Sequence, residues 1–186
     1  LAEGDLMIDE KIRDRLMPFV TGVNYPKGYI LFSSDKLERN IYFIKKGMAR
    51  AYVEVDGRDV TIWLGMEGDA VISAKGYVYG EKGYETMELL EDSVLYKISM
   101  TDLQALYHTD IEVCNWARRL IEREFVRTEH HLIGNLSEPA ADRYARLLQE
   151  KPEVLQRVQL QYIASYLGIS PEHLSRVRAG NKKRAK

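Results

Sequence analysis

From Ile111 up to Gly134 the chain runs without proline or glycine, and Cys114, Ala117, Ile121, Phe125, Thr128 and Leu132 recur at alternating short intervals. That spacing puts all six on one stripe of an α-helix. At the α-helical rise the segment is roughly 35 Å long, more than a small β domain needs to cover one face. The surplus stripe, flanked by Trp116, Leu120 and Ile133, calls for a second apolar surface. The simplest is the same helix of a second copy, related by a two-fold axis. The alternative is a helix folded wholly onto its own β domain; pairing of two copies is the expectation carried forward.

The preceding segment has a different texture. From Tyr25 to about Ser99, short β-branched and aromatic runs are punctuated by Gly28, Gly47, Gly57, Gly65, Gly68, Gly76, Gly80 and Gly83, which predicts an antiparallel β domain closed into a barrel, sandwich or roll. Its clearest hairpin joins Ala49–Val55 to Val60–Leu64 through Asp56-Gly57, the dipeptide that supplies positive φ in tight turns. Alternation puts Val53 and Val55 on one face, with Val60, Ile62 and Leu64 on one face of the partner. Ser99 followed by Asp102 predicts an N-cap that ends the β domain. Ahead of it, Ile8, Ile12, Leu16 and Phe19, with Pro18 near the end, predict a short amphipathic helix.

With 186 residues the chain is one large domain or two small ones. No charged-then-apolar leader is visible and no apolar run approaches a membrane span, so a cytoplasmic protein with no membrane partner is expected. The single cysteine, Cys114, excludes a disulfide within the chain and any cysteine-built zinc or iron–sulfur site in one copy. It reads as a small buried apolar residue.

The net charge of −1 conceals a division. From Ser137 onward the bases are Arg143, Arg146, Lys151, Arg157, Arg176, Arg178, Lys182, Lys183, Arg184 and Lys186, against the acids Glu138, Asp142, Glu150, Glu153 and Glu172. A basic tail on an acidic remainder fits a phosphate-binding module, although a solvated charged surface gives the same pattern.

Asn135-Leu136-Ser137-Glu138-Pro139 interrupts the long helix and reads as a hinge, with Ser137 as N-cap and Pro139 in the first turn of the next helix. Ala140 to Gln149 follows with Tyr144, Leu147 and Leu148 inward, ended by Pro152. The segment from Leu160 to Arg178 then meets the requirements of a helix-turn-helix: Ala164 is small where two helices cross, Gly168 makes the turn, and Ile163, Leu167, Ile169, Leu174 and Val177 form the inter-helix core. Ser170 caps the second helix and Pro171 opens it.

In such a motif the N-terminal residues of the second helix meet base edges in the major groove of duplex DNA. Glu172, His173 and Arg176 take those positions. Arg176 can donate twice to guanine and Glu172 can accept from a cytosine amino group. Ser165, Ser170, Ser175, Arg178 and the Lys182-Lys183-Arg184 cluster are the phosphate-contact candidates.

The order of β roll, long helix, hinge and helix-turn-helix, together with Tyr42–Tyr52 and Ile163–Arg176, resembles the Crp/Fnr transcription regulators over nearly the whole chain. The resemblance implies an α+β fold: a cyclic-nucleotide-binding-like antiparallel β roll over 1–110, a dimerisation helix and hinge over 111–136, and a winged helix-turn-helix over 137–186. It implies a homodimer that binds a palindromic operator, makes RNA polymerase a candidate partner, and aligns Glu172 and Arg176 with the base readers. No cofactor is expected.

The ligand end departs from the family. Members that bind cyclic AMP carry a Gly-Glu pair followed by an arginine for the cyclic phosphate. Between Gly68 and Ile98 this chain has no arginine. It offers Gly83-Tyr84-Glu85-Thr86 instead, and Glu85 repels phosphate. Lys75 and Lys82 lack the planar guanidinium fork, and Gly80-Glu81 reads as a turn, so the effector stays unassigned. Of the four histidines, His108, His130, His131 and His173, the adjacent His130 and His131 diverge by roughly 100° on a helix and cannot share a metal; both read as solvated. No phosphate loop, metal spacing or activated nucleophile suggests an enzyme, and Glu67 and Asp69 form only a lone acidic pair at a strand turn. The competing reading is a ligand-sensing or protein-interaction module without DNA binding.

Overall fold

The computed structural model describes residues 10–184, with side chains through Gly180. Ile8 therefore lies outside the described residues. Helix α1 (Glu10–Leu16) buries Ile12 and Leu16 and passes into a 3₁₀ turn at Met17–Phe19. Eight strands follow: β1 (Thr21–Tyr25), β2 (Ile30–Phe32), β3 (Asn40–Lys46), β4 (Ala49–Val55), β5 (Arg58–Gly65), β6 (Ala70–Val71), β7 (Thr86–Leu89) and β8 (Ser93–Ser99). They form two four-stranded sheets, ordered β1-β8-β3-β6 and β2-β7-β4-β5, with antiparallel pairings throughout.

Strand β3 explains the unbroken apolar run Ile41-Tyr42-Phe43-Ile44. Successive strand side chains point to opposite faces, and here both faces are covered. Tyr42 and Ile44 pack with Ala49, Ala51, Met87, Leu89 and Leu95 between the sheets. Ile41 and Phe43 pack with Leu16, Leu103, Val113 and Trp116 from the helices.

The β4–β5 hairpin turns at Asp56 (φ 51°) and Gly57 (φ 73°). Two consecutive positive φ values suit the right-handed strand twist, and glycine adopts one of them without strain. Nothing lies within 4 Å of a Cβ built at Gly57, so the cost of a side chain there is conformational alone. Gly57→Ala is expected to lower stability by about 1 kcal/mol in denaturant titration. A register shift between Ala51 and Tyr52 separates the buried start of β4 from its exposed end, which leaves Val55 in solvent.

Ser99 caps helix α3 (Met100–Thr109), its hydroxyl accepting from the Thr101 and Asp102 amides. Asp110 does the same for α4 (Ile111–Ser137). Between β6 and β7 lies a short helix, α2 (Ala74–Tyr79), closed by Gly80 in the left-handed conformation, a segment the sequence left within the β domain.

Helix α4 continues through Asn135, Leu136 and Ser137, where a hinge was expected. Neither Asn nor Ser forces a helix to end, and the Ser137 hydroxyl donates back to the Ile133 carbonyl at 2.7 Å. The break comes at Glu138 (ψ 146°), because the ring of Pro139 excludes helical geometry from the residue before it. Ser137 is therefore not an N-cap, and Pro139 itself is the residue flanking the next helix.

The C-terminal helices are α5 (Ala140–Glu150), α6 (Val154–Arg157), α7 (Leu160–Tyr166) and α8 (Pro171–Arg184). Tyr144 and Leu147 point inward from α5, whereas Leu148, expected beside them, is exposed. Among the described residues no strand follows β8, so the described C-terminal unit consists of helices without a β wing. Its core of Tyr144, Leu147, Val154, Ile163, Ala164, Leu167 and Leu174 is continuous with Met48, Leu64 and Leu90 of the β roll. The helical unit is thus docked on the roll.

Candidate nucleic-acid interface

The turn between α7 and α8 follows from three residues. Gly168 has φ +65°, a conformation other residues adopt only with strain. Ala164, fully buried, lets the helices cross, and its carbonyl accepts from the Ile169 amide at 3.0 Å. The Ser170 hydroxyl then accepts from the His173 amide at 3.2 Å and caps α8. Leu174 is buried against α7, which turns Glu172, His173, Ser175 and Arg176 outward to solvent.

Glu172 and Arg176 stand one helical turn apart. The Glu172 carboxyl is held below its ordinary range by its own backbone amide, the Ser170 hydroxyl and the nearby Arg176 charge. It is ionised at neutral pH, ready to accept hydrogen bonds. Arg178 is exposed as well. Lys182 lies within α8, with its side chain outside the described residues.

Ser165, expected at phosphate, is instead engaged by the chain's own roll. Its hydroxyl accepts from the Thr61 amide at 2.8 Å and donates to the Asp59 carbonyl at 3.3 Å. It sits in a wider contact between roll and helices. Arg50, only 3% exposed, pairs with Glu88 and Asp59 and lies between the rings of Tyr52 and Tyr162, 4.2 and 3.8 Å from their centroids. Arg157 forms ion pairs with Glu67 and Glu91 at 2.8 and 2.6 Å. Lys151 reaches the Leu64 carbonyl and Asp69 at 2.9 and 3.0 Å, and Arg127 of α4 meets Asp69 at 2.9 Å.

The clamp changes the meaning of the basic tail. Lys151 and Arg157 are held by acids of the roll, Arg146 by Glu138, and Arg143 donates to the Leu167, Gly134 and Glu138 carbonyls. Much of the C-terminal positive charge therefore builds the docked arrangement, leaving Arg176 and Arg178 outward among the described side chains. Glu67 and Asp69, read from sequence as a lone pair, are its acidic anchors. Hydrogen bonds from Arg157 bring the Glu67 carboxyl down to about 2. At Asp69 burial pushes upward, but Lys151 and Arg127 prevail and hold it below its ordinary value. At Lys151 burial prevails over Asp69 and its pKa is lowered.

His131, expected in solvent, stacks on Tyr166 with ring centroids 4.1 Å apart and contacts the Asn135 amide. The docked α7 supplies that ring, and burial, with Arg146 and Arg143 nearby, lowers the imidazole pKa. His130 is exposed. Of the six stripe residues on α4, Ala117 is buried in the chain's own core and Cys114 is half-buried. Ile121, Phe125, Thr128 and Leu132 are exposed, Phe125 at 68%, and Leu136 extends the stripe at 79%.

A cavity of about 320 Å³ opens between the roll, α2, α3 and α4. Its walls are mostly apolar and aromatic; Glu85 is its buried carboxylate, and Glu124, half-buried at the same wall, is already paired with Arg127 and accepts from the Trp63 indole.

Residues 22–110 match the cyclic nucleotide-binding domain family. The whole architecture is similar to FixK2 from Bradyrhizobium japonicum (20% identity, 89% of this chain and 86% of that one, TM-score 0.78). It is similar also to the c-di-GMP-responsive global regulator CLP from Xanthomonas campestris (18% identity, 95% and 93%, TM-score 0.74). A third is a protein from Eubacterium rectale described as a Crp/Fnr-family transcriptional regulator (17%, 96% and 85%, TM-score 0.71). Among curated protein sequences none matches. Residues 22–110 thus resemble a cyclic nucleotide-binding domain, and the chain as a whole shares the α+β fold of these Crp/Fnr-like structures.

A cyclic nucleotide, the ligand this domain family implies, does not fit the residues present. No lysine, arginine or histidine is among the described residues lining the cavity. A cyclic phosphate there would be desolvated without a counter-charge and would face Glu85.

Proposed function

We propose that the chain is a sequence-specific DNA-binding transcription regulator that acts as a homodimer. The observation that carries this reading is the outward presentation of Glu172, His173 and Arg176 on the first turns of α8, with Leu174 anchored behind them. Arg176 is the guanine reader and Glu172 the cytosine acceptor, while Ser170, Ser175, Arg178 and Lys182 meet phosphates. Ser165 joins that set only when the contact with Thr61 opens.

The functional division follows the sequence reading: 1–110 senses, 111–136 joins two copies, and 137–186 binds DNA. The α4 stripe of Ile121, Phe125, Thr128 and Leu132 supports pairing, since these side chains are exposed along one line of a single helix. Cys114 and Ala117, nearer the roll, lie at its margin. A two-fold dimer presents two recognition helices to successive turns of a palindromic operator. RNA polymerase is a partner to be sought on the assembled complex. The clamp around Asp69 and Arg157 sets the position of the helical unit on the roll, so an effector acts by biasing this docked arrangement against another.

Binding measured with duplexes of matched length tests the base-reading role. Arg176→Ala is expected to cost roughly 1–3 kcal/mol on the selected operator and to relax preference at one base pair, with little change on random duplex. Equal losses on specific and random DNA would remove Arg176 from the base-reading role.

A further inference from the structure

We infer that the β-roll cavity is a binding site for a small aromatic or aliphatic amine, recognised through Glu85. This concerns the ligand class of the sensing domain and stands independently of DNA recognition.

The carboxylate carries the argument. Glu85 is 5% exposed, and its Oε2 accepts from the Tyr84 amide at 3.0 Å, whereas its fully buried Oε1 has no hydrogen-bond partner. Buried polar atoms are ordinarily paired, and a buried carboxylate oxygen left without a donor is costly. It lines a cavity in which no described residue is cationic, so the chain does not itself supply the counter-charge. A ligand ammonium does.

Three further features define the rest of the ligand. Trp63, Trp116, Tyr77, Tyr84 and Tyr107 line the same space, giving aromatic faces that attract a cation and apolar area that rewards a hydrocarbon body. The Trp116 indole N–H is also buried without an acceptor, so a neutral oxygen on the ligand has a partner. Gly83 adds the constraint that excludes the usual alternative: a Cβ there would lie 2.6 Å from the Ser73 hydroxyl and 2.9 and 3.0 Å from the Glu85 oxygens. A side chain at Gly83 would therefore press on Ser73 and on Glu85 itself, and the residues lining the cavity bring no counter-charge to the carboxylate.

Both tryptophans of the chain, Trp63 and Trp116, line the cavity, so intrinsic fluorescence reports on it directly. The full chain, without DNA, is titrated with 4-phenylbutylamine, 4-phenylbutyrate and cyclic AMP, in the wild type and in Glu85→Gln. The amine is expected to saturate, with the carboxylate at least tenfold weaker and cyclic AMP without effect. Glu85→Gln should weaken the amine by about 10- to 100-fold and narrow its advantage over the carboxylate, as expected for loss of a charged hydrogen bond. Amine and carboxylate binding alike, cyclic AMP saturating as tightly as the amine, no response to any of the three, or amine binding indifferent to Glu85→Gln would each overturn the assignment. Should Glu85→Gln fail to fold, the ranking of the three ligands on the wild type decides.

Discussion

Replacing Asp69 with alanine is expected to lower the unfolding free energy by roughly 2–3 kcal/mol, because Lys151, largely buried, loses its carboxylate partner and keeps only the Leu64 carbonyl as acceptor, while Arg127, 40% exposed, retains Glu124. Asp69 accepts from Arg127 of α4, from Lys151 beyond α5 and from the Met66 amide. Its side chain is 14% exposed and that of Lys151 is 17%, so water replaces the lost acceptor poorly. Thermal unfolding of Asp69→Ala beside the exposed-site control Glu129→Ala checks this; a loss below 1 kcal/mol for Asp69→Ala would mean the cations are solvated after all. The pH dependence has a definite sign. Both clamp carboxyls titrate below their ordinary values in the folded chain, so they bind fewer protons folded than unfolded. The stability they contribute is complete above the ordinary value of 4.5 for Glu67 and is lost as pH falls toward about 2.

The second large effect concerns assembly. Phe125→Glu combined with Leu132→Glu places two charges in the apolar stripe of α4, where both side chains are exposed in the single chain. Folding of one copy should change by less than about 1 kcal/mol, since surface sites outside the core are tolerant. Pairing should not survive. Sedimentation at micromolar concentration is expected to give a dimer for the wild type and a monomer for the double variant. Operator affinity should then fall by roughly 100- to 10,000-fold as bivalent engagement is lost. A wild-type monomer, or a double variant that still dimerises, would count against the seam.

Local signals carried much of the fold. The Asp56-Gly57 turn, the Ser99 cap, the unbroken α4 and the Ala164, Gly168, Ser170 and Pro171 series each specify backbone geometry within a few residues, and each was legible for that reason. What escaped depends on contacts distant in sequence. Glu67 and Asp69 gain their partners from Arg157, Lys151 and Arg127, which lie far along the chain, so no spacing announces the clamp. The partial burial of His131, read as solvated, and the contact of Ser165 with Thr61 and Asp59 escaped for the same reason: docking of α7 against α4 and β5 is a tertiary event. Leu136 and Ser137 looked like a break because a proline follows nearby, yet the ring of Pro139 drives only Glu138, among the residues ahead of it, out of helical geometry. Helix α2 escaped because six residues between turn signals give too short a period to distinguish helix from loop. Glu85 stood out in the sequence as a negative charge where a phosphate partner was expected; its burial and its unsatisfied oxygen needed the packing around Gly83.

The most direct test of α8 as a DNA-reading surface is selection of the purified full chain on a random duplex library, followed by salt titration on the enriched sequence. Enrichment of a two-fold symmetric site with half-sites about one helical turn apart, binding that weakens steeply with salt, and loss of preference at one base pair in Arg176→Ala is the predicted result. Recovery of no preferred sequence, or of one that Glu172→Ala and Arg176→Ala bind as well as the wild type does, would contradict it.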